Sequence, residues 1–286
     1  MKKIWINGKF VYPDKAKISV FDRGFMYGDG VFETMRSYAG RAFKLDRHLD
    51  RIFRAMDAIG IKRRYSKRCI EKAINSTLRA NHLSGAYIKL IVTRGDGRFG
   101  ISYKDDFRAN VVIVAKEFES YPSWMFDDGL DAKVIGVQNE MSVTSRTKTL
   151  NYLPYILARF SAKRLGFDEA ILTNTKGCIT EGATSNIFIA KNNALITPSE
   201  ESGILPGITR GLLIEIAKRL KISVKEKLVT RRELLGADEI FLTNSLAEVL
   251  PVTKVDSNRI GTGTVGPITK LLHILYQKQV ITEVLK

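Results

Sequence analysis

Cysteine and histidine are scarce in this chain of 286 residues, which contains two cysteines and three histidines. Cys69 and Cys178 are too few for a disulfide framework or a cysteine-based metal site. No His-Glu-x-x-His sequence occurs, so zinc-dependent hydrolysis lacks its usual signature and we predict no metal. Because so little cysteine is present, we expect a reducing, cytoplasmic location.

Long apolar runs are also absent. Runs such as residues 111–115 are far shorter than the roughly 20 residues of a membrane-spanning helix. Lys2 and Lys3 bring charge too early for a signal peptide, so we expect neither a membrane span nor a leader. Apolar residues make up 44% of the chain and charged residues 27%. These values exclude disorder of the whole chain and indicate a globular protein of two domains.

Acidic residues are outnumbered: lysine and arginine total 46, aspartate and glutamate 30, and the net charge is +16. Such an excess raises nucleic acid as a partner. The charge is spread along the chain, however, and its densest cluster, residues 62–68, lacks zinc-finger spacing or a basic zipper. We therefore predict no nucleic-acid partner. A basic surface also suits anionic substrates and a phosphorylated cofactor.

Hydrophobic periodicity predicts an α+β first domain over residues 1–117. Asn7-Gly8 marks a hairpin turn, and alternation over 17–21 predicts a strand. Apolar spacing predicts helices over 45–59 and 68–81 and strands over 87–93 and 110–115. Residues 118–129 show no period and carry Pro122 and Gly129, so we predict that they link the two domains.

The second predicted domain covers residues 130–286. Its elements are strands over 132–137, 169–173, 186–190, 194–197 and 239–242, and helices over 153–165, 208–220 and from 266 onward. Residues 168–174 and 238–244 have similar sequences, which is explained by two strands of similar burial that each end in a polar turn.

Several familiar catalytic motifs are missing. The chain has no Gly-x-Ser-x-Gly elbow, no Walker phosphate loop and no dinucleotide-binding glycine fingerprint in strand–turn–helix context. These absences favour lysine or carboxylate catalysis, or an organic cofactor. Polar residues are instead concentrated in four segments: 146–152, 179–188, 203–210 and 242–252. Taken singly, each is an ordinary surface lysine, turn or helix entry.

Taken together, these segments resemble the class IV aminotransferases, the fold type IV pyridoxal-phosphate enzymes. The motifs are Lys148-x-x-Asn151-Tyr152, Thr180-Glu181-Gly182-x-x-Ser185-Asn186 and Leu205-Pro206-Gly207-Ile208-Thr209-Arg210. The resemblance extends from Asn7-Gly8 to the last helix. It implies a two-domain α+β / α/β fold of the D-amino-acid aminotransferase type and pyridoxal 5'-phosphate as cofactor. It also implies a homodimer or higher homo-oligomer.

The resemblance assigns the cofactor residues. Lys148, in the second predicted domain, is implied as the catalytic amine, which holds the cofactor aldehyde as an imine and then moves a proton. Glu181 matches the carboxylate that keeps the ring nitrogen protonated. Tyr152 matches a tyrosine that, in many members, hydrogen-bonds the phenolic oxygen. The implied phosphate ligands are Arg51, Ile208, Thr209 and Ser245.

The resemblance also implies a substrate pocket, with walls from Tyr27, Phe32, Tyr87, Leu246 and Ala247. Branched-chain enzymes usually carry Tyr-x-Arg at residues 87–89, but here Lys89 replaces the arginine, and the two are not interchangeable at a forked carboxylate site. Phe-Glu-Thr at residues 32–34 looks closer to lyases and some D-amino-acid enzymes. Arg98 lies near the place where those two groups put a carboxylate-binding arginine, and it is equally explained as a solvated loop residue.

The predicted function is transfer of an amino group between an amino acid, with a branched-chain L-amino acid favoured, and 2-oxoglutarate. Its predicted partners are therefore small-molecule substrates, namely an amino acid and a 2-oxo acid. D-amino-acid aminotransferase and aminodeoxychorismate lyase remain as alternatives. A basic nucleic-acid-binding protein is a further alternative that rests on net charge alone.

Overall fold

A computed structural model describes residues 3–97, 100–101, 107–136 and 146–284. The chain forms two compact units, and their residues are as follows: unit 1, Met1–Glu119, Thr147–Asn151 and Thr282–Lys286; unit 2, Ser120–Arg146 and Tyr152–Ile281. The first boundary between the units follows Glu119 and lies within residues 118–129, which were predicted to link the two domains. Residues 120–129 of that segment belong to unit 2. Lys148 belongs to unit 1 and not, as the sequence suggested, to the domain starting at 130. The physical reason is the backbone pairing of its segment with a unit 1 strand, described below.

Unit 1 is built on a six-stranded antiparallel sheet. Its strands are β1 (Ile4–Ile6), β2 (Lys9–Val11), β3 (Gly30–Tyr38), β4 (Arg41–Ala42), β5 (Ala86–Thr93) and β6 (Asn110–Glu117), in the order β2-β1-β6-β5-β3-β4. Its helices are α1 (Arg23–Tyr27), α2 (Leu45–Ala58) and α3 (Lys67–Ala80). The predicted hairpin at Asn7-Gly8 is confirmed, with φ values of 51° and 96°.

The core of unit 1 lies between one face of this sheet and helices α2 and α3. Successive side chains of a strand point to opposite faces. Ile88, Leu90 and Val92 of β5 are therefore buried in this core, whereas Tyr87 and Lys89 lie on the opposite face, half-buried. The alternation of side chains along β5 thus places one set in the core and leaves the other set on the opposite face, where it is available to bind a ligand.

Unit 2 contains a nine-stranded mixed sheet. Its strands are β7 (Leu130–Gly136), β8 (Glu169–Thr173), β9 (Ile179–Gly182), β10 (Asn186–Lys191), β11 (Ala194–Pro198), β12 (Val224–Lys227), β13 (Glu239–Asn244), β14 (Glu248–Val255) and β15 (Asn258–Arg259). The order is β12-β11-β10-β13-β14-β7-β8-β9, and β15 pairs with β14. The remaining helices are α4 (Trp124–Asp127), α5 (Leu153–Arg164), α6 (Ile208–Arg219), α7 (Arg231–Leu235) and α8 (Pro267–Val284).

Strands β4, β9, β12, β14 and β15 were not predicted from the sequence, and two further departures concerning strands have a physical reason. Residues 17–21 form no strand, because Ile18, Val20 and Phe21 are 39%, 65% and 47% exposed and so have no buried face to form. Strand β3 was not predicted, because Glu33 is buried on its core face, where an apolar residue was expected. The similar sequences at 168–174 and 238–244 do form two largely buried strands, β8 and β13.

Two absences apply to the described residues alone. Among them, no helix combines the length and hydropathy needed to cross a membrane. Within the same ranges, His, Cys, Asp and Glu side chains form no group of three or more that could hold a metal ion. Cys69 is exposed and Cys178 half-buried, and both are free thiols.

Candidate active site

The segment carrying Lys148 is held in unit 1 by backbone pairing with the start of β3. The Phe32 N–H donates to the Lys148 carbonyl at 2.9 Å, and the Leu150 N–H donates to the Gly30 carbonyl at 3.0 Å. Thr149 forms an isolated antiparallel bridge with Val31 between these two bonds. This short ladder fixes the backbone of Lys148 while the half-buried side chain projects from it.

Asn151, the second residue of the lysine motif, anchors the same segment. Its Nδ2 donates to the Gly28 carbonyl at 3.3 Å. Gly28 ends helix α1 in the left-handed region at φ 67°. A Cβ at this position would lie 2.4 Å from Asn151 Oδ1, so both the conformation and the space demand glycine.

Two lysine amines contact one aromatic ring in unit 1. Lys148 Nζ lies 4.6 Å from the ring centroid of Phe32, and Lys89 Nζ lies 4.5 Å from it. The two nitrogen atoms are therefore at most about 9 Å apart. Such contacts are favourable cation–π interactions. Partial burial lowers the pKa of Lys89, because desolvation penalises its charged form.

Arg51 lies off the apolar stripe of α2, so from the sequence it could have been a solvated residue. In the structure it is buried. Its Nε and Nη2 donate to Glu33 Oε1 and Oε2 at 2.7 and 2.8 Å. His48 Nδ1 lies 2.7 Å from Glu33 Oε2. Glu33 is fully buried; burial opposes its charge, but Arg51 and His48 outweigh that effect and lower the Glu33 pKa to about 2. Arg51 thus belongs to a buried charged cluster beneath β3.

Unit 2 contributes a buried carboxylate. Glu181 in β9 is 5% exposed. Its Oε2 accepts from the Leu205 N–H at 3.2 Å and from Asn186 Nδ2 at 3.4 Å. Asn186 Nδ2 also donates to the Leu205 carbonyl at 2.8 Å. The asparagine of the second motif therefore ties Glu181 to the turn that opens helix α6.

Helix α6 begins at Ile208 without a side-chain cap on its first turn. Gly207 precedes it, and a Cβ there would lie 1.9 Å from Asn186 Oδ1. Arg210 is buried and donates to the Pro198 carbonyl and to Glu226, which secures the helix to β11 and β12. Thr209 is buried in the first turn. Uncapped amides and a positive dipole end make this turn suitable for an anion.

Buried hydroxyls without a partner lie next to these groups. Thr243 Oγ1 and Ser185 Oγ are buried and make no hydrogen bond within the described part of the chain. Thr243 in β13 pairs with Asn186 in β10. Buried hydroxyls normally have partners, so both point to a ligand that accepts or donates here.

Residues 245–247 form the loop that connects β13 to β14. Asn244 Oδ1 accepts from the N–H groups of Leu246 and Ala247 at 2.9 and 2.8 Å. Ser245 and Leu246 are half-buried, and Ala247 is buried. The three predicted ligand residues of this loop are thus held in one tight turn.

The other predicted residues are distributed as follows. Tyr152 precedes helix α5 in unit 2 and stacks on Tyr155 with ring centroids 4.9 Å apart. Tyr27 ends α1 and its hydroxyl accepts from the Gly100 N–H at 3.0 Å. Tyr87 lies on the same face of the unit 1 sheet as Lys89 and Phe32. Arg98 lies outside the described residues.

These groups meet the requirements of pyridoxal phosphate. The aldehyde needs an amine, and Lys148 presents one from a fixed backbone. The ring nitrogen needs a buried carboxylate, and unit 2 contains one in Glu181. The phosphate needs amides, hydroxyls and a cation; unit 2 contains the uncapped turn of α6 and the hydroxyls without partners, and unit 1 contains Arg51. The donor set therefore fits this cofactor.

Comparison with known proteins decides the family. The model of amino-transferase class IV matches residues 30–255. The chain belongs to the class IV aminotransferases. This confirms the predicted family and the fold type IV architecture, and it makes the protein a pyridoxal-phosphate-dependent enzyme.

The most informative class IV relatives differ in the amino acid that their names specify. A Methanocaldococcus jannaschii protein, provisionally named a branched-chain-amino-acid aminotransferase, is 40% identical over 272 residues, 94% of this chain and 93% of that protein. The D-alanine aminotransferase of Bacillus licheniformis is 31% identical over 284 residues, 99% of each chain. The crystal structure of the Escherichia coli branched-chain amino acid aminotransferase has a TM-score of 0.93 at 32% identity, covering 97% of this chain and 94% of that chain.

Sequence reasoning assigned no role to four residues that interact with predicted site residues in the structure. Glu33, His48 and Asn186 became visible only through their hydrogen-bond partners. Glu33 did leave a signal, since a carboxylate among apolar residues of a strand must have a buried partner. Lys89 was noticed as a departure from a motif, but its position against Phe32 required the structure.

Proposed function

We propose that this enzyme transfers the amino group between a branched-chain L-amino acid and 2-oxoglutarate. The observation that carries the proposal is the pair of amines, Lys148 and Lys89, against the ring of Phe32. One amine would react and the other would recognise an anionic group of the substrate. Phe32 and Tyr87 offer apolar surface beside them, which suits a leucine, isoleucine or valine side chain.

The cofactor would be held by the residues that the class IV motifs carry, together with Arg51. Lys148 would bind its aldehyde, Glu181 its ring nitrogen and Tyr152 its phenolic oxygen. Arg51, Ser245, Thr209 and the Ile208 amide would bind its phosphate. When bound, pyridoxal phosphate supplies an electron sink for the bond that breaks at the substrate α-carbon.

Two of these residues would control protons. The Lys148 amine would take a proton from the substrate α-carbon and return it to the cofactor side, because an amine held close to both positions acts as base and then acid. Glu181 would hold a proton on the ring nitrogen. Its Oε2 already accepts two hydrogen bonds, which stabilise the charged carboxylate.

Lys89 would bind the second carboxylate of 2-oxoglutarate. It lies within about 9 Å of the Lys148 amine, a span that a five-carbon dicarboxylic acid can bridge. A half-buried ammonium group benefits from an anionic partner, since its charge is otherwise poorly solvated. This assignment gives lysine the role that the missing arginine would have had.

D-Amino-acid transfer is the second candidate. It is supported by the D-alanine aminotransferase relative, which matches 99% of the chain, and by Phe-Glu-Thr at residues 32–34. The test is a half-reaction in which holoenzyme is mixed separately with L-leucine, D-alanine or aminodeoxychorismate while cofactor absorbance is followed. L-Leucine alone should discharge the chromophore. Discharge by D-alanine alone would reject the branched-chain proposal, and pyruvate released from aminodeoxychorismate would indicate a lyase.

A homodimer or larger homo-oligomer is the assembly we propose, in the cytoplasm. Supporting it, helix α5 exposes an apolar stripe of Leu153, Ile156, Leu157 and Phe160, each at least 53% exposed. Their spacing places them on one face. Phe160→Glu should lower the mass measured by light scattering, whereas Lys163→Glu should not. A monomeric parent protein would refute the proposal.

A further inference from the structure

The buried cluster of Glu33, His48 and Arg51 has a geometry that goes beyond charge neutralisation. Two parallel hydrogen bonds join the Arg51 guanidinium to the Glu33 carboxylate. Such a forked pair fixes the plane of the guanidinium as well as its position. Glu33 is held in turn by strand β3 and by His48, so the fork itself has little freedom to rotate.

This fork uses one edge of Arg51. A guanidinium has five N–H groups, and the Glu33 contacts employ those of Nε and one of Nη2. The fork thereby fixes the direction of every N–H group of the guanidinium. An arginine held in this way loses less side-chain entropy when it binds an anion than a mobile arginine does.

The cluster also lies close to the reactive amine. Phe32, the neighbour of Glu33 in β3, contacts the Lys148 amine with its ring and the Lys148 carbonyl with its N–H. Moreover, the charge of Lys148 contributes to lowering the pKa of His48, after burial and alongside Arg51. That electrostatic effect means that Lys148 and the cluster share one part of unit 1.

We propose that Glu33 is a positioning residue, which, supported by His48, orients Arg51 toward the phosphate of the cofactor. This proposal rests on the role given above to Arg51 as a phosphate ligand. It assigns a function to the buried acid of the Phe-Glu-Thr sequence, which otherwise only neutralises a cation. It also explains why a carboxylate occupies the core face of a strand.

The test compares apoenzyme binding of pyridoxal phosphate with binding of pyridoxal, which lacks the phosphate. Glu33→Gln should weaken binding of pyridoxal phosphate about tenfold or more, the scale of a lost charge-assisted hydrogen bond, and leave pyridoxal binding within about twofold. In the loaded variant, the ³¹P resonance should shift. Asp256→Asn is the matched control: Asp256 is a buried acid in unit 2 that pairs with Lys133 and Arg231, and it should affect neither ligand selectively.

Equal weakening of both ligands by Glu33→Gln, or no weakening, would overturn the positioning role. If Glu33→Gln does not fold, His48→Gln removes one support of the carboxylate and should give a smaller loss confined to pyridoxal phosphate; its absence overturns the proposal equally. Arg51→Met separates the two levels of the argument. No selective loss in Arg51→Met refutes the phosphate role of Arg51, whereas loss in Arg51→Met without loss in Glu33→Gln refutes only the positioning by Glu33.

Discussion

Replacing Lys89 by methionine should separate the two 2-oxo acids that the proposed reaction connects. If Lys89 binds the second carboxylate of 2-oxoglutarate, the variant loses one charge-assisted hydrogen bond. Such a bond contributes about 1.5–3 kcal/mol, which corresponds to a fall of about 10- to 150-fold in kcat/KM for 2-oxoglutarate. The 2-oxo acid of leucine has no second carboxylate, so its kcat/KM should change by less than about threefold.

Steady-state assays with each 2-oxo acid, at a fixed concentration of the amino donor, measure the two kcat/KM values. Lys116→Met changes the net charge equally at an exposed position of β6 and should leave both values unchanged. Burial lowers the pKa of Lys89. The 2-oxoglutarate activity should therefore decline with rising pH at a lower pH than the ordinary lysine value of 10.5. An equal loss with both acceptors in Lys89→Met, or no loss, would refute the carboxylate role.

Three further outcomes follow from the structure. Glu181→Gln should retain cofactor but slow the half-reaction with L-leucine, since an amide cannot stabilise the protonated ring nitrogen by charge; an unchanged stopped-flow rate would contradict this. Glu239→Ala should cost about 2–3 kcal/mol in urea unfolding, because the Glu239 carboxylate accepts two backbone N–H bonds and one hydroxyl bond at the start of α8; a loss under about 0.5 kcal/mol would contradict it. Burial is the main reason why the pKa of His48 in the folded state lies below 6.5. As the pH falls, His48 therefore binds a proton in the unfolded chain before it does so in the folded protein. Its contribution to stability should thus be lost as pH falls below 6.5, by at most about 1.4 kcal/mol per pH unit. His48→Gln should flatten that dependence, and identical slopes in parent and variant would refute it.

The sequence was informative where the chemistry depends on local order. The hairpin, the long helices and most buried strands have periods that follow from burying one face, and they are found within a few residues of the predicted bounds. The three motifs were likewise readable because a turn, a helix start and a strand end each need particular residues in succession. Asn151 and Asn186 now have hydrogen-bond partners that explain their places in those motifs.

What could not be predicted depends on contacts between distant residues. Lys148 follows unit 2 segments in the chain but pairs with β3, more than 110 positions earlier, and no local pattern encodes that pairing. Arg51 looked like a solvated residue, because helical spacing reports only the apolar stripe and not a buried acid on a neighbouring strand. Apolar and polar residues alternate over 17–21 as they do in a strand. No strand forms there, because the apolar residues of this segment are exposed.

The proposed reaction requires a covalent bond between Lys148 and the cofactor. Holoenzyme should be reduced with borohydride, digested and mapped by mass spectrometry. The cofactor mass should appear on the peptide containing Lys148, should remain there in Lys89→Met, and should be absent from folded Lys148→Ala. Label on a different lysine, or none on protein saturated with pyridoxal phosphate, would contradict the account.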